Sequence, residues 1–283
     1  MARPLRIAYP GALYNITSRG NERRQIFFSD DDRLHFLRLV ARVVERFSWI
    51  CYAYCLMDNH YHLFVETTLA NISQGMKHLN GIFAQYINWK HKRVGHLLQG
   101  RFDARLIEKE TYFMEVSRYV PLNPVRAGIC SNAEDYRWSS YRATRGIIPA
   151  PAFLTIDPIL ERFGMSKEES QRRYGEFVAS GVKARPFDQL RGGLFLGSEA
   201  FIQKFQDSIR KRSDLPFEKR MLLRPPLEQL LIKPDGLQAA AKQYGYSTRA
   251  IAKVMGVHQT TIARRLRDAG PGSDPEQCTL LSQ

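Results

Sequence analysis

The chain has 283 residues, 44% of them apolar and 25% charged, with 19 Gly and 14 Pro, a balance that excludes a collagenous or wholly disordered polymer. Lys and Arg number 42 against 28 Asp and Glu, leaving a formal charge of +14 and a pI near 9.8, so the molecule attracts polyanions and nucleic acid is the expected partner. No apolar run approaches the roughly 18 residues that a spanning helix needs, residues 1–11 lack a signal-peptide core, and Cys51, Cys55, Cys130 and Cys278 are too sparse for a disulfide framework. A soluble protein of the reducing cytoplasm, without a membrane partner, is the expectation.

Residues 12–17 form a short apolar segment between the turn pair Pro10-Gly11 and the stop Arg19-Gly20-Asn21, and read as a strand. Ser29 with Asp30, Asp31 and Asp32 then supplies a helix cap and an acidic first turn, ahead of Leu37, Val40, Val44 and Phe47 at helical spacing. Residues 49–57 are aromatic and β-compatible, Asp58-Asn59 is a turn, and residues 60–66 alternate, which predicts a hairpin. Ile72, Met76, Leu79, Phe83, Tyr86 and Ile87 define a second helix capped by Asn71; residues 102–108 read as a fourth strand, and Thr111 caps a third helix. The order β-α-β-β-α-β-α predicts an α+β, ferredoxin-like domain, with helices on one face of an antiparallel sheet and the other face left available.

Beyond Tyr141 the character changes, and Ile147-Ile148-Pro149-Ala150-Pro151 reads as a linker. The predicted organisation is a first domain over residues 1–145 and a helical region over 146–226, with helices around 159–163, 167–178 and 198–209 and a hinge at Arg224-Pro225-Pro226. An all-α DNA-binding block over 227–270 and a flexible tail over 271–283 follow.

Chemistry concentrates in three places. His60 and His62, two apart on a strand, point to one face about 7 Å apart and can converge on a metal ion, or can simply be surface histidines. In the stretch from Ser117 to Gly128, Tyr119 and Asn123 share a helical face if the helix persists past Pro121. Tyr112 sits on the same face, so an aromatic packing stripe is the competing reading. Cys51 and Cys55, read as sharing a strand face near the histidines, raise a structural zinc site, against apolar packing of two small thiols.

The third place is residues 248–266. Ile251, Met255, Val257, Ile262 and Leu266 supply core contacts, Ala252 permits close crossing and Gly256 a tight turn, which predicts a helix-turn-helix. Its second helix begins near His258, a helix-entry residue on the DNA-facing side, and carries Gln259, Thr260 and Arg264 toward base edges or phosphates, with Arg265 and Arg267 as further phosphate contacts. A plain helical hairpin with a solvated arginine face is the alternative.

Several separated motifs carry a resemblance in the right order: residues 3–7, Arg19-Gly20-Asn21-Glu22-Arg23-Arg24, Met57-Asp58-Asn59-His60-Tyr61-His62-Leu63, Gln99-Gly100-Arg101-Phe102, and residues 118–128. Over residues 1 to about 145 the chain resembles the single-tyrosine HUH transposases, most closely the REP-associated tyrosine transposases. The resemblance implies a ferredoxin-like nuclease domain acting on single-stranded or hairpin-containing DNA, with Mg2+ or Mn2+. It implies His60 and His62 as metal ligands, Asn123 as third ligand and Tyr119 as nucleophile, and Arg126 joins the DNA-contacting set. Asn15 departs from the His often found at that position.

The expected activity is therefore metal-dependent nicking and rejoining of single-stranded DNA through a 5′-phosphotyrosine, which conserves bond energy for strand transfer. Two other classes stand beside it: a non-catalytic DNA-binding regulator derived from a transposase, separable by a covalent protein–DNA adduct, and an RNA binder using an open sheet face, for which the aromatic pair of an RNA-recognition sheet is not evident.

Overall fold

In the computed structural model the described residues are 7–164, 166–210 and 225–268. They fall in two compact units, residues 3–202 and residues 203–283 with 1–2. The tail over 271–283, Cys278, residues 3–6 of the first motif and Arg224 lie outside the described residues.

The larger unit is built on a five-stranded sheet of order β2-β3-β1-β4-β5. Its strands are β1 (Ala12–Arg19), β2 (Trp49–Met57), β3 (His60–Thr67), β4 (Asp103–Ile107) and β5 (Phe195–Leu196). The first four pair antiparallel, and β5 adds parallel to β4 with Leu106 opposite Phe195. Met57 faces His60, so Asp58-Asn59 is the two-residue hairpin turn that the sequence predicts. Directly opposed residues share a face. One row across the sheet is therefore Cys55, His62, Thr17 and Asp103, and the next holds Met57, His60 and Arg19.

A β-bulge between Cys51 and Ala53 shifts the register of β2 by one residue. Cys51 then lies opposite Val65 and Cys55 opposite His62; those partners are three apart in β3, so the two thiols point to opposite faces. The shared face expected for them is corrected by that inserted residue.

One sheet face is covered by α1 (Asp30–Phe47) and α2 (Ile72–Lys90). Ser29 and Asp32 close a capping box on α1, and the fully buried Asp32 also takes Lys90 Nζ at 2.9 Å and His91 Nε2 at 2.9 Å. The buried stripe of α1 is Phe36, Leu39, Val40 and Val43, turned from the predicted one. The cause is Phe36, whose ring packs with those of Phe27, Tyr61 and Phe83 at centroid distances of 5.4, 4.5 and 4.9 Å. Asn71 makes no cap bond; its amide accepts from Trp49 Nε1 and donates to Phe47 O, each at 2.8 Å, tying α2 to the end of α1.

The opposite face is not left open. There α3 (Lys109–Tyr119) lays Phe113 against Tyr52 and Phe64, with centroids 4.8 and 5.5 Å apart. Thr111 is not its cap: Glu108 occupies the N-cap position, and its carboxylate accepts from Ser198 N and Oγ at 2.7 Å each. The compact unit also runs past the boundary expected near residue 146. Leu56 N donates to Trp138 O at 2.9 Å and Thr155 N to Cys51 O at 2.8 Å, which covers the outer edge of β2. Helix α5 (Lys167–Ser180) buries Tyr174 beside Tyr141.

The smaller unit holds its own core. Leu227 and Leu230 from Leu227–Leu231, with Ala240, Ile251, Ala252 and Ile262, are buried together, and Met255, Val257 and Leu266 pack against them. Thr248–Met255 and Gln259–Asp268 are two helices joined by a short turn in which Gly256 has φ 65°. That left-handed angle closes the first helix and is open to glycine at little cost.

Candidate active site

Alternation along β3 puts Tyr61 into the α1 and α2 side, where its hydroxyl bonds Asn80, and turns His60 and His62 to the other face. The two imidazole centroids lie 5.0 Å apart. His60 Nδ1 is 2.6 Å from Asn59 Oδ1 and His62 Nδ1 is 3.1 Å from Thr17 Oγ1. These bonds fix both rings through Nδ1 and leave Nε2 of each as the nitrogen able to take an ion; His62 Nε2 is buried and has no hydrogen-bond partner. Burial, with the nearby Arg19 charge, lowers His60 to about 4. Burial, then His60, Arg105 and Arg19, hold His62 well below the ordinary imidazole range. Both are neutral near pH 7, the state that binds a metal.

Tyr119 closes α3, and its ring lies 6.3 Å from that of His62. Pro124 has no N–H to return to Val120 O, and the carbonyls at the end of α3 run out of i+4 donors. Asn123 repairs this: its Nδ2 donates to Tyr119 O at 3.1 Å and Val120 O at 3.0 Å. With both amide hydrogens directed at the backbone, Oδ1 is the atom left for a ligand. The chain then turns into α4 (Asn123–Arg126). Arg126 sends Nη1 to Tyr119 O at 3.1 Å, Nη2 to Gly181 O at 3.0 Å and Ala184 O at 2.8 Å, and Nε to Val182 O at 3.3 Å, while its guanidinium sits 4.6 Å from the Tyr119 ring centroid. The arginine named as a DNA contact is thus engaged with its own protein; it holds Tyr119 and the segment after α5 together.

A cleft of about 390 Å³ is lined by His60, His62, Tyr119 and Asn123 together. Three arginines absent from the predicted set, Arg19, Arg101 and Arg105, line it as well, as does Asp103. Their signal was the register: Thr17 opposes His62, Asp103 opposes Thr17, and Arg105 follows at i+2. Gly20, next to Arg19, is required by close approach, since a Cβ there would meet Arg24 O at 2.0 Å. Among the described residues no group of three or more His, Cys, Asp or Glu side chains is placed to hold a metal. The cysteine-based zinc alternative is not assembled: burial pushes the Cys51 thiol up to about 12, and Cys55 Sγ lies 3.7 Å from Met57 Sδ.

In the smaller unit His258, Gln259, Thr260, Arg264, Arg265 and Arg267 are all exposed. His258 Nδ1 accepts from Thr260 N at 3.4 Å and lies 2.8 Å from Thr260 Oγ1, so it caps the start of its helix. Among the described residues no helix is long and apolar enough to cross a membrane.

An α+β domain with a cationic cleft that gathers two neutral imidazoles, a phenol and a carboxamide is a domain suited to chemistry on an anionic phosphate. Residues 9–123 match the family described as transposase IS200 like. The chain is also similar to a solved REP-associated tyrosine transposase bound to a REP hairpin, at 18% identity, covering 53% of this chain and 89% of that one, with a TM-score of 0.45. No curated protein matches the chain.

Proposed function

We propose that the protein is a single-strand DNA endonuclease and strand transferase of the REP-associated kind, with Tyr119 as nucleophile. The observation that carries this is the single cleft lined by His60, His62, Tyr119 and Asn123 inside a transposase segment. The Tyr119 oxygen attacks phosphorus, the bond from phosphorus to the 3′ oxygen breaks, and a 5′-phosphotyrosine forms. The proton lost by the phenol is balanced by the one that the departing 3′ oxygen takes up. Arg126, over the ring face, favours negative charge developing on the phenol oxygen. Arg19, Arg101 and Arg105 attract the DNA backbone into the cleft.

The donor set fits a divalent ion on His60 Nε2, His62 Nε2 and Asn123 Oδ1, for which Mg2+ or Mn2+ is our assignment. When bound, such an ion polarises the scissile phosphate as a Lewis acid. The two helices around Gly256 select DNA, with Gln259, Thr260 and Arg264 reading and Arg265 and Arg267 contacting phosphate.

The test is covalent capture on labelled single-stranded DNA in Mg2+ or Mn2+, resolved on denaturing gels. Wild type gives an adduct, Tyr119→Phe gives none yet still binds, and Tyr112→Phe retains it. Loss of the adduct in Tyr112→Phe alone, or no adduct from wild type with any DNA tried, would leave the regulator reading in its place.

A further inference from the structure

We propose that residues 182–188 build a second pocket that shares Tyr119 as a wall and holds one unpaired nucleotide flanking the scissile phosphate. The inference rests on Tyr119 as the cleaving residue and extends it to substrate recognition. Tyr119 is a shared wall: it lines the cleft described above and also a cavity of about 490 Å³ lined by Arg126, Lys183, Arg185, Phe187 and Asp188. That volume is in the range of small-molecule sites and accommodates a nucleotide.

Phe187 is the aromatic platform. It packs edge-on to Tyr119, with centroids 4.5 Å apart at 80°, and the Arg105 guanidinium lies 4.7 Å from its centroid. Arg105 also lines the first cleft, so the two cavities meet around this pair of rings. Phe187 is half-buried, whereas Lys183, Arg185 and Asp188 are exposed. The composition suits a nucleotide in all its parts: a ring face for the base, two cations for a phosphate, and a carboxylate that can accept from an exocyclic amino group.

The segment is fixed from the catalytic side, because Arg126 binds the carbonyls of Gly181, Val182 and Ala184. It lies beyond residues 9–123, the part matched to the transposase family. The pocket therefore draws on residues outside the matched segment as well as on Tyr119.

The test uses the full chain and an oligonucleotide selected for tight binding from a random single-stranded pool, with Tyr119→Phe throughout to prevent covalent trapping. An abasic site is walked along the oligonucleotide and Kd is read by fluorescence anisotropy. We expect Phe187→Ala to raise Kd about tenfold, and one abasic position to cost the same with no further loss in Phe187→Ala; Phe187→Trp restores binding. Lys183→Ala with Arg185→Ala, both exposed, should weaken binding and reduce the salt slope by about 1.4, the value for two single-strand phosphate contacts. Additive penalties at every abasic position, or an unchanged Kd and salt slope in the double variant, would overturn the pocket. Adduct formation is scored separately with Tyr119 intact, so failure of the nucleophile assignment registers there and failure of the pocket registers in binding.

Discussion

Asn123 is oriented by the carbonyls at the end of α3, and that is why its placement was only half legible. The spacing from Tyr119 placed it near the phenol, but Pro121 made the helical face doubtful. The helix ends there, Pro124 offers Val120 O no N–H, and the amide nitrogen turns back to the carbonyls of Tyr119 and Val120. The histidine pair was legible because strand alternation is a local rule. Arg126 was not, since its carbonyl partners at Gly181, Val182 and Ala184 are remote in sequence. Lysine cannot reproduce its fork of donors. Arg126→Lys should therefore cost about 2 kcal/mol of stability through unsatisfied carbonyls and slow single-turnover adduct formation about tenfold or more through a misplaced Tyr119. Urea melts and quench-flow gels check the two effects separately.

Among the elements, α1 shows how a cap becomes a pH-sensitive tie. Burial of Asp32 opposes its charge, but bonds from Lys90, the Phe28 amide and His91 outweigh it and hold the carboxyl at about 2. The folded value lies below the unfolded one near 3.9. The contribution is thus fully present above about pH 4 and is lost as pH falls through about 2. Asp32→Ala should lower stability at pH 7 by about 1–2 kcal/mol through loss of the capping box and should flatten the acid limb between pH 4 and 2; thermal melts across that range read both. The cap at Ser29 and the acidic first turn were legible in the sequence; the reciprocal bond from Asp32 that completes the box was not. Nor were the partners of Asp32 at the far end of α2, the bulge in β2 and the two-residue β5, which have no local pattern to announce them.

For the whole molecule, the linker reading near residue 146 followed Pro149 and Pro151, a correct sign of irregular chain but not of a boundary between compact units. Tyr174 against Tyr141, and β5 against β4, keep residues 147–202 with the sheet. A chain ending at residue 145 should lose the Arg126 carbonyl partners and the Phe187 wall, and show both reduced thermal stability and weak adduct formation. A chain ending at residue 210 should keep adduct formation near wild type, bind with less sequence preference and show a smaller salt slope, because Arg264, Arg265 and Arg267 are gone. Parallel melts, adduct gels and competition binding at several salt concentrations compare the two. Equal sequence preference in the full chain and the 210-residue chain would remove the C-terminal helices from DNA selection.

The hydrogen bond from Arg126 to Gly181 spans 55 residues, and this sets an order of events during synthesis. At about 5–20 residues per second, the ribosome needs roughly 3 to 11 seconds to pass from one partner to the other. Throughout that interval the nascent chain already carries both histidines, the tyrosine and the asparagine, while the segment that anchors the tyrosine from behind has yet to be made.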